Sequence, residues 1–113
     1  MKLGSAQGRL NNKRYKEALS AAKVAYKIGG IEDYELWLYN SIVGKSLYHL
    51  GQPQEALLHL NRAEELLTPQ LAEESGTEEL LSVMSSISWY IDKIEAETHN
   101  KSLKQGTPQS GAP

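Results

Sequence analysis

The chain has 113 residues, 40% of them hydrophobic and 23% charged, with no cysteine, no phenylalanine and a formal net charge of −2 at pH 7. This is the length of one domain with a modest core. The missing cysteine excludes disulfides, thiol catalysis and thiolate zinc sites, and fits a reducing, intracellular setting, read here as cytoplasmic; no apolar run reaches the ~18–20 residues of a membrane span, and the N-terminus lacks the apolar run of a signal peptide.

The charge is unevenly spread. Residues 1–30 hold seven basic groups (Lys2, Arg9, Lys13, Arg14, Lys16, Lys23, Lys27) and one acid, Glu17; the remainder holds 5 basic and 13 acidic groups. A basic helix beside acidic helices in one fold is the plainer reading, and a basic face for an acidic partner is the other. Overall acidity argues against nucleic acid and membrane surfaces as partners.

Helical periodicity dominates, and no alternating strand pattern persists. A first, weak helix is expected over about Leu3–Asn12, with Leu3, Ala6 and Leu10 on one edge. Gly4 and Gly8 cost it about 1 kcal/mol each relative to alanine. A second runs over about Arg14–Ile28, with Tyr15, Ala18, Leu19, Ala22, Ala25 and Tyr26 as its inner stripe and Gly29–Gly30 as its stop. The third starts near Asp33, a good N-cap type, and runs through Leu38, Ile42, Val43 and Leu47 to Gly51. Pro53 opens the fourth, where its missing amide proton costs nothing. Ala56, Leu60, Ala63 and Leu67 form its inner face, and Pro69 is expected just past its end. After the connection "TPQLAEESGT", "SGTE" (Ser75–Glu78) has the form of a capping box for a fifth helix that fades near His99. Residues 100–113, rich in Gly, Pro, Ser and Gln, read as a disordered tail.

The second and fourth helices share "EAL": Ala18 pairs with Ala56 and Ala25 with Ala63, an offset of 38 residues. Periods of this size indicate stacked helical hairpins. Two helices approach to about 8 Å only with small residues at the crossing, which Ala56, Ala63 and Gly44 supply. The two-residue link Gln52-Pro53 makes the hairpin antiparallel.

These residues resemble the tetratricopeptide repeat (TPR) family. In "LYNSIVGKSLYHLGQPQEALLHLNRAEELLTP", Gly44, Gly51, Ala56 and Ala63 fall on the small positions of the family pattern and Leu60 on the large apolar one. The first copy matches in its second helix and poorly in its first, where Ala6 stands for the glycine. The resemblance covers about residues 3–98. It implies an all-α fold of antiparallel helical hairpins stacked as a short TPR-like superhelix of about five helices. The domain would span 1–99, with repeats at about 1–30 and 34–69 and a third or capping helix at 77–99. The first repeat starts partway in, as expected of a segment from a larger adaptor or scaffold protein.

No reaction chemistry emerges. "VGKS" (Val43–Ser46) lacks the upstream glycine and preceding strand of a phosphate loop. His49, His59 and His99 lack zinc-ligand spacing. No serine has the glycines of a nucleophile elbow. Adjacent glutamates such as Glu64–Glu65 point apart on a helix. Asn100-Lys101-Ser102 is a glycosylation sequon by form only. The chain reads as non-enzymatic, with no cofactor and no metal site.

The resemblance implies a groove for another protein or peptide, lined by first helices: Leu3, Gln7 and Leu10, then Leu38, Ser41, Lys45 and Tyr48. Only Lys45 is cationic there, so a carboxylate clamp of the chaperone-binding kind is not expected. Trp37 borders this groove or joins the core. On the fifth helix, Leu80, Met84, Ile87, Ile91 and Ile94 share one face, while Trp89 falls roughly opposite with Ser82, Ser85, Lys93 and Ala96. Three placements fit Trp89: inside after all, against a further helix of a longer protein, or at a self-association or partner contact. The leading expectation is a groove-binding interaction module. The alternative is a structural or homodimerising domain whose interface is Trp89, Ser82, Ser85 and Lys93.

Overall fold

The structure, a computed structural model, describes residues 3–29, 31–73 and 78–106, with side chains of the last stretch through residue 100. Among the described residues the chain is all-α: α1 (Gly4–Asn11), α2 (Tyr15–Lys27), a single 3₁₀ turn (Asp33–Glu35), α3 (Leu36–His49), α4 (Pro53–Glu73) and α5 (Glu78–Gly106). Packing follows chain order: α1 on α2, α2 on α3, α3 on α4 and α4 on α5, with α1 and α5 also touching α3. The radius of gyration is 16.2 Å and the extents are 56 × 32 × 23 Å. A compact chain of this length would have a radius of gyration near 13 Å. Rods laid side by side account for the excess, helped by α5, whose 29 residues span about 43 Å.

The core runs the length of this stack. Alanines carry α2 (Ala18, Ala22, Ala25), α3 is buried on most sides, and α5 contributes Ile87, Ile91 and Ile94. The most extensive helix pairing is between α3 and α4. There Gly44 is buried, and a Cβ placed on it would lie 2.6 Å from Leu60 Cγ and 3.1 Å from the Ala56 carbonyl oxygen.

The helix ends reveal the repeat in the backbone. After α3, Gly51 takes φ +86°, its N–H bonds to the Tyr48 carbonyl (3.1 Å), and the Gln52 N–H bonds to the Leu47 carbonyl (2.9 Å). After α1, Lys13 takes φ +63°, its N–H bonds to the Leu10 carbonyl (3.0 Å), and the Arg14 N–H bonds to the Arg9 carbonyl (2.8 Å). Both are Schellman closures. They stand 38 residues apart, the same offset as the paired alanines. The first copy therefore turns like the second, with lysine where the second has glycine.

Three boundaries differ from expectation. The third helix is opened by the Glu32 N–H bonding to Glu35 Oε1 (3.2 Å), which shifts the α-helical start past Asp33. Pro69 lies inside α4, which continues to Glu73. A proline removes one backbone bond and crowds the carbonyl four residues back. Here that carbonyl is on exposed Glu65, Leu71 packs against the core, and Gln70 Nε2 donates to the Tyr34 carbonyl (3.2 Å), so the added turn is anchored. Helix α5 extends to Gly106, seven residues past His99 and into the stretch read as a tail. Residues 107–113 and most of the "SGTE" capping box lie outside the described residues.

Candidate functional site

Helix periodicity places Tyr90 and Glu97 on the flank of α5 that faces α3, and an aromatic cluster fills the space between them. The Tyr15 ring stacks on His49 (centroids 4.1 Å apart), and His49 Nε2 lies 2.8 Å from the Tyr90 hydroxyl. Tyr48 meets Tyr90 edge-on at 5.6 Å and donates its hydroxyl proton to Glu97 (3.0 Å to Oε2). Lys45 Nζ stands 5.6 Å from the centre of the Tyr90 ring.

The electrostatics follow from this packing. Burial pulls the Lys45 ammonium below the usual lysine range. Burial, and then the Glu97 hydrogen bond and charge, push the Tyr48 phenol up. Tyr90 is likewise raised by burial and its neighbours Tyr15 and Tyr48. Burial between the rings and the Lys13 charge lower His49.

The expected groove residues divide. Lys45 and Tyr48 face α5, and Leu38 and Gln7 are half-buried, the latter donating to Asn11 Oδ1 (2.8 Å). Leu3, Leu10 and Ser41 are buried, so they belong to the stack's interior and offer no open surface. Leu3 and Leu10 are the main apolar anchors of short α1, and docking that helix consumes them. Trp37 is partly buried against the core.

Trp89 is 56% exposed. The ring meets Tyr90 edge-on at 5.1 Å, and Lys93 Nζ lies 5.5 Å from its centre while also pairing with Glu97 at 3.5 Å. Ser82, Ser85, Lys93 and Ala96 are exposed on the same outward face, with Leu81 at its edge. Trp89 thus ends an aromatic run reaching inward through Tyr90 and His49 to Tyr15. Sequence reasoning missed Tyr15, His49 and Tyr90 as partners. Their one signal was position: Tyr15 opens α2 and His49 closes α3, which sets them side by side once the hairpins stack.

Among the described residues, no group of three or more His, Cys, Asp or Glu side chains is arranged to hold a metal ion, and no helix is long and apolar enough to cross a membrane. No family model matches the chain, and comparisons with curated proteins and with solved structures return no match. What the described residues define is a five-helix, all-α domain with sequential, repeat-like packing.

Proposed function

We propose that the chain is a non-catalytic structural domain that self-associates through the outward face of α5, centred on Trp89. One observation carries this reading. A large apolar ring is held exposed at the end of the stack, fixed from one side by Tyr90 and from another by Lys93. Tryptophans that are rigid before binding make strong interface anchors because little side-chain freedom remains to be lost. Small Ser82 and Ser85 beside it allow close approach of another backbone. Sedimentation equilibrium tests the reading: the wild type should associate with concentration, and Trp89→Ala should remain monomeric. A monomeric wild type throughout the series overturns it.

Recognition of a protein or peptide segment along the α1–α3–α5 side, as in a TPR-like adaptor or scaffold, is the second reading. Its support is the placement of Lys45 and Tyr48 opposite α5. Against it, three of the seven expected contact residues are buried, and Tyr48 is engaged by Glu97. Lys45→Glu separates the two readings: it removes the trough's cation and leaves the Trp89 face intact. Loss of a captured partner with unchanged self-association would favour the trough.

A further inference from the structure

The two hairpin turns share a backbone shape but are not equally fixed. The second has Gly51 in the left-handed region and Pro53 at the first position of α4. Glycine takes that conformation freely. The proline closes off the alternative: in a continuous rod its ring would crowd the His49 carbonyl four residues back and disfavour a helical Gln52. This turn has one stable path.

Set back by 38 residues, the same two positions are Lys13 and Tyr15. Among the described residues, Lys13 is the one non-glycine residue with a positive φ, at +63°. Its Cβ makes that conformation costly. Residues 11–15 read Asn-Asn-Lys-Arg-Tyr, with neither glycine nor proline, so each can take helical angles. Straightened, the turn would join α1 and α2 in a single helix from Gly4 to Lys27, about 36 Å long. The strain at Lys13 would then be gone.

Opening the turn sacrifices the docking of α1. That helix is short, carries Gly4 and Gly8, and is anchored by buried Leu3, Ala6 and Leu10. Its seat is α2, with a smaller contact on α3. A second opened copy offers the same seat. Two straight rods, antiparallel about a two-fold axis at the turn, bring each α1 back to an α2 and regain those contacts with Lys13 helical. Charge opposes the arrangement: Arg9, Lys13, Arg14 and Lys16 of both copies gather near the axis, so added salt should favour it.

We infer that α1 exchanges between two copies of this chain, with residues 12–14 as the hinge. Each copy then completes the other's first hairpin, and the assembly closes as a two-fold dimer. Short hinges under strain favour such exchange. The contact uses the opposite end of the stack from Trp89 and stands independently of the proposed α5 interface.

Sedimentation velocity on the full chain tests it in the Trp89→Ala background, which removes the other association surface. Chains held at high concentration in urea just below the unfolding midpoint, then returned to buffer and diluted, should contain a persistent dimer. Chains never exposed to urea should stay monomeric. Lys13→Gly should weaken the dimer about 10-fold or more, since each dimer relieves two strained turns and glycine removes that gain. Lys13→Val should strengthen it, because a branched side chain fits the left-handed region worse. Both variants lose the same charge, so opposite effects isolate the backbone. In dimers of mixed isotope-labelled and unlabelled chains, NOEs should run from α1 of one copy to α2 of the other. The exchange is overturned by any of three results: no dimer in any variant, a dimer indifferent to Lys13→Gly, or α1–α2 NOEs confined within one copy. None of these bears on the Trp89 interface, which is tested on chains that never met urea.

Discussion

Gly44 and Leu60 set the spacing of the central hairpin: a Cβ on Gly44 would lie 2.6 Å from Leu60 Cγ, inside any real contact distance. Leu60 is fully buried, and the Ala56 carbonyl closes the other side at 3.1 Å, so neither neighbour can retreat cheaply. Gly44→Ala gains about 1 kcal/mol of helix propensity and loses more to overpacking, which typically costs about 1–3 kcal/mol. The expected result is a lower Tm in thermal unfolding followed by circular dichroism. Gly8→Ala is the counterpart: nothing lies within 4 Å of its added Cβ. It should stabilise by about 1 kcal/mol, raising Tm by about 4–8 °C. A rise in Tm for Gly44→Ala would refute the close approach.

The two Schellman closures make a second pair of opposite outcomes. Lys13 holds φ +63° and Gly51 holds φ +86°. A side chain in the left-handed region costs about 1–2 kcal/mol, while glycine occupies it freely. Lys13→Gly should therefore stabilise by about 1 kcal/mol, and Gly51→Ala should destabilise by a similar amount. Chemical denaturation midpoints with unchanged m-values would check both. If Lys13→Gly lowers the midpoint, the lysine side chain contributes something that the backbone geometry does not explain.

Residue types revealed the helices and their inner faces because alanine and leucine repeat at helical spacing. Gly44 and Gly51 were legible for the same reason: only a small or absent side chain serves there. Lys13 was not, since a lysine gives no sign of a left-handed backbone, and the repeat register identifies it only once Gly51's conformation is known. Pro69 misled because proline usually ends a helix. Leu71 packing and the Gln70 bond to the Tyr34 carbonyl are tertiary and leave no local mark. Phase set Trp89 opposite the apolar face of α5 but left an inside placement open, and the Tyr48–Tyr90–His49 cluster depends on how α5 crosses α3. That crossing is fixed by core contacts far apart in the chain. Three residues expected at a groove proved buried: Leu3 and Leu10 are consumed in docking short α1, and Ser41 lies on α3, which is buried on most sides.

Ser46 offers a third test. Its hydroxyl is fully buried on α3, with no hydrogen-bond partner among the described residues. An unsatisfied buried polar group costs about 1–3 kcal/mol, part of it recoverable by removing the group. Alanine also has the higher helix propensity. Ser46→Ala should thus be neutral or stabilising by up to about 1 kcal/mol in urea unfolding. A loss of stability would indicate that the hydroxyl has a partner, such as a buried water.

The histidines predict a pH dependence with a definite sign. Burial lowers His59, with Lys23 pushing further down and Glu55 pulling back; its Nδ1 lies 2.9 Å from Asn40 Oδ1. Burial also lowers His49, reinforced by Lys13, with Tyr15 and Tyr90 covering its ring. Both start from an ordinary value of 6.5, so as pH falls through 6.5 the unfolded chain takes up protons that the folded chain resists. Folding stability is therefore fully present above that pH and declines below it, until the depressed folded-state values are passed. Urea midpoints measured from about pH 8 to pH 5, above most carboxylate titrations, should fall on acidification. His59→Gln should flatten the curve more than His49→Gln, because His59 is half-buried whereas His49 is exposed despite its ring contacts. A flat profile in the wild type, or a slope unchanged in the double substitution, would show that neither imidazole is held neutral by the fold.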